Sequence, residues 1–147
     1  MRRGIATVVV VLLAAGCSSD PDEKYCHDLS EARTSLTGLA DRSDEGAGDY
    51  LEPALSLFED LRADAPSGLR DEWDTIVFAW SDLVDVLERT GVDPTTFDPA
   101  KKPEGLSKQD FDLVRAAAAE LGTARVQDAV TEVTQHAEEV CGVTLDL

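Results

Sequence analysis

From Tyr25 onward, apolar residues recur at steps of three and four, the spacing that puts them on one side of an α-helix. Tyr25, Leu29, Ala32, Leu36 and Leu39/Ala40 predict a first helix over about residues 23–41. Leu51, Ala54, Leu55, Phe58 and Leu61 predict a second, closed by "APSG", where Pro66 and Gly68 interrupt the period. The third stripe is the clearest: Leu69, Trp73, Ile76, Val77, Trp80, Leu83, Val84 and Leu87 share one face, and Gly91 is placed to end the helix. "VDPTTFDPAKKPEG" follows with three prolines and no period, so it reads as a loop. Ser107 with Asp110 has the form of a capping box opening a fourth helix through Phe111, Val114, Ala118 and Leu121. After Gly122 and Thr123, a fifth helix shows the face Val126, Ala129, Val130, Val133, Ala137 and Val140. No run alternates with period two over a useful length, and no sheet, internal repeat or coiled-coil register is expected. The expected fold is all-α, a single antiparallel bundle of four to five helices over residues 23–147.

Composition narrows the chemistry. Thirteen Lys and Arg stand against thirty Asp and Glu, a formal net charge of −17. Such a surface repels nucleic acid and anionic lipid headgroups alike, so no nucleic-acid partner is expected. With aromatic residues at 5%, the core must be mainly aliphatic and rich in alanine.

The first residues read as an export signal. Arg2 and Arg3 form a positive head, and Ile5 to Ala15 is uncharged and mostly Val, Leu and Ala. As a helix this stretch reaches only about 16 Å, against about 30 Å of bilayer hydrocarbon. It ends in "AAGC", followed by the polar "SSDPD". This resembles the lipobox of bacterial lipoproteins, with Ala14 in place of the commoner leucine. The resemblance implies removal of residues 1–16, a diacylglycerol thioether on Cys17, and a polar tether over residues 17–22. The plain alternative is an ordinary secretory signal with an incidental cysteine. Two acyl chains suffice for stable anchoring where one is marginal, so the implied location is the outer face of the cell membrane. The chain has three cysteines. Lipidation of Cys17 leaves Cys26 and Cys141 as an even pair in a compartment where disulfides persist. On the helical wheel each flanks an apolar stripe, and a bond between them would close the bundle by joining its first and last helices.

Further sequence features carry a wider resemblance. The lipobox, "YC" at the start of the first helix, "AP" before a Trp-bearing third helix, "LS" opening a later one and "CG" before an aliphatic residue near the end are similar to small helical lipoproteins of high-GC Gram-positive bacteria. That group implies export and a helical fold. It transfers no catalytic residue.

Four constellations bear on activity. His27 and His136 are the only histidines, no GxSxG elbow is present, and "HDLS" has no triad spacing, so no catalytic site is expected. Cys26, His27, His136 and Cys141 include the ligand types of a zinc site. Adjacent helix positions diverge by about 100°, however, and export favours the disulfide over zinc. "DRSDEGAGDYLE" resembles an EF-hand loop counted from Asp41, with Ser43, Glu45, Gly46, Asp49 and Glu52 at positions three, five, six, nine and twelve. Glu45 is long for its position, and Gly48 replaces the usual aliphatic residue. An acidic, glycine-loosened linker is the plain alternative to this weak Ca²⁺ site, and no other cofactor is expected. Finally, Phe78 falls opposite the apolar stripe of the third helix, framed by Asp71, Asp74, Asp82 and Asp85. A lone exposed aromatic, or one covered by the proline-rich loop through Phe97, is the plain reading. A recognition patch for a basic envelope protein or ligand is the functional one. The expected function is a non-enzymatic, membrane-anchored binding module, with a calcium-responsive or purely structural envelope domain as the alternative.

Overall fold

A computed structural model of the chain describes residues 21–44, 50–145 and 147. Among them lie five α-helices: α1 (Pro21–Asp44), α2 (Leu51–Asp64), α3 (Arg70–Thr90), α4 (Lys108–Glu120) and α5 (Ala124–Glu139). The predicted stripes become the buried faces, but several boundaries move. The expected tether gives up its last residues to α1, which starts at Pro21. Proline's fixed φ suits a first helical position, where no intrahelical partner for an N–H is needed. Asp22 and Glu23 follow in the first turn, where carboxylates face the positive end of the helix dipole. α2 stops at Asp64 because Ala65 takes extended geometry (φ −62, ψ 137), which the following Pro66 demands. α3 ends as expected, with Gly91 left-handed (φ 66) and its N–H on the Leu87 carbonyl at 2.8 Å. At α4, the Ser107 hydroxyl accepts the Asp110 N–H at 3.0 Å and donates to the Asp110 carboxylate at 2.7 Å. This satisfies one orphan donor of the first turn.

α3 is the spine. It packs against α2, α4 and α5, while α1 packs against α2. Its first half sits in one apolar cluster with Tyr25, Leu29, Leu36, Phe58, Val133 and Ala137. Its second half sits in another with Leu51, Val114 and Ala117, and partly buried Trp80 touches both clusters. Because three helices surround it, α3 also buries Ala79 and Val86, off the stripe predicted for it. Directions follow from side-chain pairs. Lys24 at the start of α1 meets Asp64 at the end of α2, and Tyr25 meets His136 near the end of α5. Both neighbours therefore run antiparallel to α1.

Two expectations about the core change. Val140, assigned to the apolar face of α5, is 53% exposed. The place of a last apolar turn is taken by the tail, whose Val143 and Leu145 are buried in the first cluster. Gly142 (φ 66) turns the chain back, and the Val143 N–H reaches the Ala137 carbonyl at 2.9 Å. Phe97 does not cover Phe78: its ring packs on Phe111 at 5.9 Å between centroids.

Candidate functional site

The cysteine end is built from both termini of the bundle. Cys26, in the first turns of α1, is bonded to Cys141, just past the end of α5, with Cα atoms 5.1 Å apart. The sulfurs are therefore not thiolates and cannot serve a Cys₂His₂ zinc site. Nor do the histidines converge. His27 is exposed, with Nε2 3.6 Å from Glu31, whereas His136 is half-buried against the Tyr25 ring at 5.9 Å between centroids. Ligand atoms of His27, Asp28 and Glu31 do lie within 4.8 Å of one another. That grouping sits on an open helix face, and Asp28 already accepts from Lys24 at 3.0 Å.

Beneath the disulfide lies a polar contact that the apolar period gives no sign of. The Trp73 indole N–H donates to the Tyr25 hydroxyl at 2.9 Å, with both residues fully buried. Burial pushes the phenol up from its ordinary value, and the indole bond opposes part of that rise.

The EF-hand-like segment is split by the fold. α1 continues to Asp44, so Asp41 and Ser43 belong to its last turn, where positions two apart diverge by about 200° around the axis. Glu52 is exposed in the first turn of α2. Glu45 and Asp49 lie outside the described residues, as does Cys17.

The exposed strip of α3 is the most developed surface feature. Phe78 is 64% exposed, and Asp71, Asp74, Asp82 and Asp85 are exposed around it. Two cations modify the patch, one from a neighbouring helix and one on α3 itself. Arg62, reaching from α2, pairs through Nε with Asp74, and Arg89 lies on the strip itself, about 20° around the axis from Phe78. The strip therefore carries both signs, with Arg62 on Asp74 and Arg89 one turn from Asp85. Further along, the seam between α2 and α3 opens into a groove of about 420 Å³. Leu51, Val84 and Leu87 line it, with Glu52, Glu88 and Asp93 at its margin. Asp93 is held below the ordinary carboxylate range, first by the Thr95 hydroxyl at 2.7 Å and then by the Thr95 N–H at 2.9 Å. The groove joins residues from two helices and a loop, so periodicity along one helix does not reveal it.

No known protein family, curated protein or solved structure matches this chain.

Proposed function

We propose that the chain is a lipid-anchored, non-enzymatic interaction module displayed on the outer face of the cytoplasmic membrane. The observation that carries this reading is the Cys26–Cys141 disulfide, which spans 115 residues and holds the two ends of the bundle together. Such a bond is stable in an oxidising compartment and is rare where thiols are kept reduced. Support also comes from the "AAGC" sequence and the polar stretch after it, which suit anchoring through Cys17. None of the helices described is long and apolar enough to cross a membrane. A non-catalytic role fits the histidines: one faces solvent beside Glu31, and the other packs against Tyr25.

The deciding experiment labels cells with palmitate and partitions the protein into detergent. Wild type should carry label and enter the detergent phase, while Cys17→Ala should do neither. Equal labelling of the two forms overturns the anchor.

A further inference from the structure

We infer that the Cys26–Cys141 bond is a redox-sensitive latch: a dithiol opens it while the protein stays folded, freeing the start of α1 and the tail without dismantling the rest of the bundle. Both cysteines are only half-buried, and His27, Val140 and Gly142 beside them are exposed, so a thiolate can reach the sulfurs from solvent. The bond joins the two least integrated parts of the described molecule. α1 packs chiefly on α2, and the residues after α5 dock through Val143 and Leu145. The second apolar cluster, by contrast, draws its buried residues from α2, α3 and α4 and takes none from α1 or the tail. Together with the packing of α3 on α5, it keeps the remaining helices assembled when the bond is cut.

Charge favours opening once the covalent tie is gone. Glu23 stands three residues before Cys26, and Glu138 and Glu139 stand three and two before Cys141, all exposed and of one sign. Lys24, the lysine of the first two turns of α1, already pairs with Asp28 and Asp64. The step requires a reduced dithiol of the Cys-X-X-Cys class outside the cytoplasm. One thiolate of that dithiol attacks either sulfur of the bond, forming a mixed disulfide and releasing the other cysteine, which takes up a proton. Its second thiolate then displaces the remaining cysteine. The dithiol leaves as a disulfide, having lost two electrons, and Cys26 and Cys141 have gained two electrons and two protons. Release removes the restraint next to Tyr25, whose hydroxyl holds Trp73, and frees the turn at Gly142 that keeps Val143 and Leu145 in the first cluster.

The test uses the full lipidated chain in detergent micelles, with dithiothreitol as the dithiol. Thiols are trapped with iodoacetamide over time, in buffer and in urea below the unfolding transition. Reduction of the folded protein should change in rate by less than about twofold over that range, whereas a route through global unfolding accelerates with the unfolded population. Hydrogen exchange of the reduced, trapped form should be about tenfold faster or more over residues 21–30 and 142–145, and within about twofold of the oxidised form across α3. The pair Cys26→Ser with Cys141→Ser should show the same pattern without dithiol and be unmoved by adding it. Reduction that tracks global unfolding, protection unchanged after reduction, or loss spread evenly over the five helices overturns the latch. The thiol count reports separately on the anchor: two after reduction where Cys17 is a thioether, three where it is free.

Discussion

Tyr25 and Phe78 are both aromatic residues on long helices, and the structure gives them opposite environments for reasons that differ in legibility. Phe78 was placed outside by the helical wheel alone, because α3 has an unambiguous apolar stripe and Phe78 lies opposite it. Truncating it to alanine should shift unfolding free energy by no more than about 0.5 kcal/mol, as for an exposed site. A loss of about 3 kcal/mol, the value for a core aromatic, would show the residue to be buried. Tyr25 was legible as core, but its hydroxyl partner was not, since Trp73 comes from a helix far away in sequence. Tyr25→Phe leaves the indole N–H without its acceptor in a dry site and should cost about 1–2 kcal/mol in urea unfolding. The same substitution has a pH signature. The phenol is raised in the folded state by burial, so the unfolded chain loses its proton first as pH climbs. Stability is therefore full below the ordinary phenol value of about 10 and falls above it. Urea midpoints should decline less steeply above that pH in Tyr25→Phe than in wild type. Parallel declines would show that Tyr25 titrates as it does in the unfolded chain.

At the scale of elements, local signals worked where the cause was local. Ser107 was recognisable as a cap because its hydroxyl can serve Asp110 within one turn, and Ser107→Ala should destabilise the fold by about 1 kcal/mol. A smaller effect would show that α4 is held by Phe111, Val114 and Ala117 alone. The five stripes were legible for a related reason: each helix must bury one face, and its period is written in consecutive residues. What was not legible came from tertiary neighbours. Val140 fits the α5 period but lies outside, while Val143 and Leu145 have no helical period and are buried once the chain turns at Gly142. The candidate surface divides in the same way. Its carboxylates on α3 could be read in advance, but Arg62 and the Glu52 margin arrive from α2 and required the packing of the two helices. The acidic segment after α1 is a further case, because the count from Asp41 took as loop residues what α1 keeps helical to Asp44. An EF-hand loop draws its ligands from non-helical backbone, and α1 is helical at positions 41–44. Millimolar Ca²⁺ should accordingly change the melting temperature no more than Mg²⁺ does. A shift confined to Ca²⁺ would support the EF-hand reading.

For the whole molecule, two long-range effects oppose each other: self-repulsion of a chain at −17 and the single covalent link between its ends. Repulsion is relieved by salt, since the screening length falls from about 30 Å at 0.01 M to about 3 Å at 1 M. The disulfide acts where salt does not, on the entropy of the unfolded chain. Closing a loop of 115 residues is worth about 4–5 kcal/mol in that account, a large share of the 5–15 kcal/mol typical of whole domains. Its position explains why the bundle needs it. α1 packs mainly on α2, and its start is tied to the rest through Tyr25, the Lys24 pair with Asp64, and the sulfur bridge to the end of α5. The bridge also fixes the turn at Gly142 that buries Val143 and Leu145. Replacing both Cys26 and Cys141 by serine should therefore lower stability by about 2–5 kcal/mol. Hydrogen exchange should accelerate first in the opening turns of α1 and in residues 142–145, before α3 is affected, because α3 keeps neighbours on three sides. If the double variant unfolds at the wild-type urea midpoint, or if protection is lost uniformly across the five helices, the bond does not hold the ends of this fold together.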